Sequence, residues 1–201
     1  MIEISLTEFV DFVTKAGGPK LTVVREVKKR HAEGYDPKTD FYKKLRDGIV
    51  AHHAMGKPKA ALDALAQGVT DRKKVVAYPI IIQGYKKFLG RKVVTWFAPP
   101  KKTTWEHGDL VVRVNPELGL QLNGRPHLIK MYLKKNQLRR LEVPSIMHLL
   151  QLVLSSKSES RTLGLLDVRR GHLITADGFD PALTPLLQGE AASFATIYRS
   201  L

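Results

Sequence analysis

The sequence predicts an α+β fold, with a helical N-terminal region packed on a small mixed β-sheet and flanked by further helices. Three observations carry that expectation. Capped segments of helical period fill the first ninety residues, the period turns strand-like at Arg91, and Asn123-Gly124 is the strongest hairpin signal in the chain. The 201 residues are 43% hydrophobic and 26% charged, a balance that buries the core of one ordinary domain or two small ones.

Ser5-Leu-Thr-Glu8 reads as a capping box, Ile4 is placed to staple onto Phe9, and Gly17-Gly18 closes the segment, so residues 6–16 are expected to be helical. Pro19 opens a second helix with Leu21, Val24 and Val27 on one face. Lys28-Lys29-Arg30 ends it, where cations suit the helix dipole. Asp36-Pro37 is a cap followed by a first-turn proline, and Phe41, Leu45 and Ile49 continue at helical spacing to Gly56. The alanine-rich stretch 58–67 stops at Gly68, Asp71 opens another turn, and 79–90 has proline at its head and glycine at its tail. On this reading the first ninety residues are all helical.

Residues 91–98 (RKVVTWFA) are β-branched and aromatic and stop at Pro99-Pro100. Residues 109–114 alternate, and Asn115-Pro116 turns the chain into 118–122. The Asn123-Gly124 hairpin then leads to 127–134, where Leu128, Lys130, Tyr132 and Lys134 share one face and His127, Ile129, Met131 and Leu133 the other. Residues 144–154 read as a buried helix, 155–160 (SSKSES) as a loop, 163–168 as a short apolar strand, and Arg170-Gly171 as a turn into 172–175. Asp180-Pro181 caps two short helices separated by Gly189. The predicted divisions are a helical region over 1–78, an α/β core over 79–176, and C-terminal helices over 177–201 packing on that core.

Lys+Arg 33 against Asp+Glu 19 gives a formal charge of +14, far more than solubility requires, which points to a polyanionic partner. Residues 1–90 hold 17 basic and 10 acidic side chains, 91–160 hold 12 and 5, and 161–201 hold 4 and 4, so the excess is no detachable tail. With no cysteine there is no disulfide framework, thiol nucleophile or thiolate zinc site. P-loop, dinucleotide and nucleophile-elbow motifs are absent too. The start MIEISLTEFVDF is acidic where a targeting signal would be basic, and no apolar run approaches the ~20 residues that cross a bilayer. The expectation is a cytoplasmic protein with no membrane partner. His52-His53 read as solvated side chains, since helical neighbours point about 100° apart. Trp105-Glu-His-Gly-Asp109 reads as a loop leading into a strand, and Trp96, Trp105 and Tyr132 as core residues first and stacking platforms second.

The order of helix (79–89), three strands, helix (144–154) and strand (163–168) resembles the α-β-β-β-α-β order of the restriction-endonuclease-like fold, the PD-(D/E)XK nuclease superfamily. The resemblance covers about residues 79–170 and requires choosing three strands among four candidates. It implies a nuclease scaffold in which one acid on the second strand, and another two residues before a lysine on the third, hold Mg²⁺ and position water. Here the third strand reads Leu128-Ile129-Lys130 or Tyr132-Leu133-Lys134, with the lysine in both registers and the carboxylate in neither. A relocated site would use Asp109 and Glu117 as metal ligands beside Lys130 and Lys134, with Glu106 or Asp167 as further acids.

The leading functional expectation is binding of DNA or RNA backbone at Lys130, Lys134, Lys135, Arg139 and Arg140, extended by Lys86, Lys87, Arg91 and Lys92. The alternatives are a Mg²⁺-dependent nuclease built on Asp109, Glu117, Lys130 and Lys134, and a structural protein whose positive face docks an acidic partner.

Overall fold

The computed structural model describes residues 1–34, 40–155, 161–175, 178 and 180–201. The cap expected at Asp36-Pro37 and residues 156–160 of the expected loop lie outside the described residues. The chain runs β1 (Ile2–Ser5), α1 (Leu6–Val13), α2 (Gly18–Glu33), α3 (Lys43–Ala54), a 3-10 helix (Lys59–Ala66) and α4 (Arg72–Leu89). It continues β2 (Val94–Phe97), β3 (Thr104–His107), β4 (Leu110–Arg113), β5 (Leu118–Leu122), β6 (Arg125–Tyr132), α5 (Glu142–Leu154), β7 (Thr162–Asp167), β8 (His172–Thr175) and α6 (Leu183–Ser200).

The class is α+β, and the strands form two sheets where one was expected: β2-β5-β6-β7-β8 and β1-β4-β3. In the larger sheet β2, β5 and β6 run antiparallel, and α5 carries the chain across to β7, parallel to β6. Of the four strand candidates, 109–114 is the one that leaves this sheet; it becomes β4, between β1 and β3.

The large sheet is buried on both faces, which is why the β6 alternation matters. Leu128 and Tyr132 enter one core with α1, α2, α5, α6 and β4. Ile129, Met131 and Leu133 enter a second with α3, the 3-10 helix and α4. Asn123 and Gly124, at φ 51° and 82°, make the expected tight hairpin between β5 and β6.

Four expectations about elements are corrected. The first ninety residues are not all helical, because Ile2-Glu3-Ile4 alternates and pairs in parallel with β4. Pro79 does not start a helix: Asp71 caps α4 through Lys73 and Lys74 N–H groups, and Pro79 lies inside it. The proline is tolerated because it and Val75, whose carbonyl loses its helical donor, both face solvent. Residues 104–107 are a strand paired with β4, not a loop. Gly189 does not divide the C-terminal region, since α6 is continuous and pins Phe194 edge-on against Phe12, 5.1 Å between ring centres. The predicted division at 78/79 falls within α4.

The capping box is present in full: Glu8 N–H donates to Ser5 Oγ at 3.3 Å, and Ser5 N–H donates to Glu8 Oε2 at 2.7 Å. Burial works to raise the Glu8 carboxyl, and the bonds from Ser5 and the Arg30 guanidinium outweigh it, so it titrates below the ordinary carboxylate range. Ser5→Ala is expected to cost about 1 kcal/mol at neutral pH. A group lowered in the native state stabilises fully above its unfolded pKa and loses that contribution as pH falls through the native one. The deficit of the variant, read by thermal unfolding at several pH values, should therefore shrink in acid; a deficit that grows there would contradict this account.

Candidate nucleic-acid interface

β6 and β7 are parallel, with Tyr132 opposite Asp167, so their C-terminal ends lie together at one end of the large sheet. That end collects most of the residues expected to act. Lys130 points from β6 to the strap leading into β5, donating to the Asn115 carbonyl at 2.9 Å and to Glu117 Oε1 at 2.5 Å. Glu117 Oε2 accepts from the Met131 N–H at 2.8 Å. Both oxygens of this carboxylate are thus committed to the protein itself.

Four residues beyond Lys130, Lys134 donates to both oxygens of Asp11 on α1, at 2.7 and 2.6 Å. Tyr132 lies between these pairs. Burial, followed by the nearby Glu142, Asp11 and Asp167 carboxylates, pushes its hydroxyl up to about 12, so it stays protonated and able to donate. Glu142, at the head of α5, is buried and accepts the Arg139 N–H at 2.5 Å, which shapes the connector between β6 and α5. Asp11, Lys134, Tyr132 and Glu142 line both a small cavity of about 20 Å³ and the floor of an open groove of about 710 Å³ above it.

The predicted cations divide into three groups. Lys135, Arg139 and Arg140 stand exposed on the connector with no carboxylate at ion-pair distance among the described residues. Lys87 joins the same end through the turn after β7, where Gly171 backs onto it. Arg169 and Arg170, expected only as turn residues, are here as well. Arg169 Nε donates to the Leu133 carbonyl at 3.0 Å, and Arg170 meets the buried Asp167 at 2.8 Å.

Lys86 is tied to Asp63 at 2.8 Å, and Lys92 to the Phe88 carbonyl. Arg91 and Lys92 lead from the end of α4 into Val93, with the Lys92 ammonium turned back beside Lys87. Val93 and Asn123 exchange bonds at 2.9 Å at the β5–β6 hairpin, separated from Lys134 by the whole of β6, roughly 26 Å of strand. Of the expected extension, Lys87 stands exposed with the expected centre, whereas Lys86 and Lys92 are engaged by the protein itself.

Asp109 is brought to neither group. It sits at the head of β4, its carboxylate 2.8 Å from Arg199 on α6 and its carbonyl accepting the Ile2 N–H. Lys130 and Glu117 lie beyond the other end of that strand. Among the described residues no cluster of three or more His, Asp or Glu side chains could hold a metal ion. The residues present therefore do not fit the Mg²⁺ site that the nuclease resemblance implied: Asp109 stands apart, and Glu117 is held by Lys130 and the Met131 N–H.

His52 and His53 are not solvated, as the sequence suggested. His52 is buried, while His53 bonds to the Tyr85 hydroxyl at 2.7 Å and stacks on Trp96 with ring centres 6.5 Å apart. Burial, with a small contribution from His52, brings His53 down to about 4. Trp105 packs on Phe9 at 5.6 Å, so both tryptophans serve packing. Comparison of the chain with known protein families, with curated proteins and with solved structures finds no match. No helix among the described residues is long and apolar enough to cross a membrane.

Proposed function

We propose that this is a cytoplasmic nucleic-acid-binding protein that grips phosphate backbone at the C-terminal end of β6 and β7. One observation supports the reading above the rest. In a chain of +14, Lys87, Lys135, Arg139 and Arg140 stand exposed around one end of the sheet with no carboxylate at ion-pair distance among the described residues, whereas Lys86, Lys130 and Lys134 are already neutralised. Exposed cations without internal partners gain most from phosphate, because each contact releases a condensed counterion. Contacts of this kind fix position and carry little sequence information, so binding should be poorly sequence-specific.

The test is a salt titration with duplex and single-stranded probes. Affinity is expected to fall steeply and linearly on a log–log plot as salt rises, and a flat response would remove the proposal.

A further inference from the structure

We propose that the 710 Å³ groove between the start of α2 and the β6–α5 connector receives one unpaired, phosphate-bearing nucleotide, with the Tyr132 hydroxyl as a donor at its floor. This rests on the nucleic-acid reading and deepens it by naming the unit that is held.

The first support is Tyr132 itself. The side chain is only 9% exposed, lines both the groove and the cavity beneath it, and its hydroxyl has no hydrogen-bond partner among the described residues. That hydroxyl is therefore a donor open to the groove with no competing protein acceptor among the described residues, free to bond a ligand oxygen there.

The second support is the electrostatics of the rim. Lys15 and Arg139 line the groove without carboxylate partners among the described residues, whereas of its three acids Asp11 is engaged by Lys134 and Glu142 by the Arg139 N–H, which leaves Glu26 as the free carboxylate of the lining among the described residues. The start of α2 forms part of the same wall. Its N-cap is Gly17, which supplies no side-chain acceptor, so the positive end of a sixteen-residue helix is left uncapped beside the two cations.

Size and lining select the ligand class. The volume lies in the range of small-molecule sites and far exceeds what a lone phosphate fills. Asn136, Gln137, Thr22 and Glu26 add donors and acceptors suited to the edges of a base or sugar. Only an unpaired nucleotide can be splayed out of its stack into such a recess; a paired one in a duplex offers its backbone alone.

Calorimetric titration of the full chain with adenosine monophosphate, with inorganic phosphate, with a short single strand and with a short duplex tests this. Tyr132→Phe keeps the ring and removes the hydroxyl, and Lys15→Ala removes a rim charge. Each is expected to weaken adenosine monophosphate and the single strand about tenfold while leaving the duplex unchanged. The groove assignment is overturned if both variants bind adenosine monophosphate as the unaltered protein does, if inorganic phosphate binds as tightly as the nucleotide, or if the unaltered protein binds duplex in a salt-dependent way and no mononucleotide. Loss of the polynucleotide reading has a different signature, in which neither strand form binds at any salt.

Discussion

Gly84→Ala is expected to destabilise the protein by about 3 kcal/mol or more, against the usual gain of about 1 kcal/mol when alanine replaces glycine inside a helix. A Cβ at position 84 would sit 2.1 Å from the Val168 carbonyl oxygen and 2.5 Å from that of Arg169. Both are backbone atoms of the tight turn between β7 and β8, where Gly171 N–H donates to the Val168 carbonyl and Gly171 itself has φ 64°. Neither side of this seam can yield: α4 is fixed by Tyr85 and Phe88 in its core, and the turn by strands on both sides. For a chain of this size the cost corresponds to a fall of roughly 6–12 °C in Tm. Gly48→Ala is the contrast, since its nearest neighbour is the tip of the Leu65 side chain at 2.8 Å, which can turn aside. Thermal unfolding of the two variants should separate them clearly, and equal midpoints would refute the close-approach argument.

The largest effect on function is expected from Lys135→Ala, Arg139→Ala and Arg140→Ala combined. If each side chain neutralises one phosphate, removing three lowers the slope of log affinity against log salt by about 2.7 on duplex DNA and weakens binding roughly ten- to hundredfold at low salt. These are exposed side chains, so stability should change by no more than about 0.5 kcal/mol per substitution. Arg91→Ala with Lys92→Ala should change the slope far less, since the Lys92 ammonium is already bonded to the Phe88 carbonyl. A mobility-shift or anisotropy series across salt checks both sets. Equal losses from the two sets would show that the phosphate track continues past the end of α4, contrary to the grouping proposed.

Features governed by neighbours in sequence were legible. The Ser5–Glu8 capping box, the Asn123-Gly124 hairpin and the two-residue alternation of β6 depend on spacings of three residues or fewer, and each has its expected form. The errors share a cause as well. β1 was hidden because four residues beside a strong helix signal become a strand only when β4, about a hundred positions later, offers its edge. Pro79 and Gly189 looked like boundaries because their local preference is to break helices, and packing overrode both. Of the candidate site, Glu117 and Lys130 were named and do meet. Asp11, 123 positions from Lys134, had no sequence signal as its partner.

Charge and period, then, are properties that the chain carries residue by residue, and they determined the α+β class, the net positive charge and the turns. Which cations remain available was decided only by folding. An ion pair between α1 and the end of β6, or between Glu117 and Lys130, depends on where distant segments cross, and that crossing is set by burial of two apolar layers on either face of one sheet. The same crossing set Asp109 against Arg199 and left Tyr132 at the floor of a groove, because a side chain's partner is fixed by the packing of whole elements and not by its own neighbours along the chain.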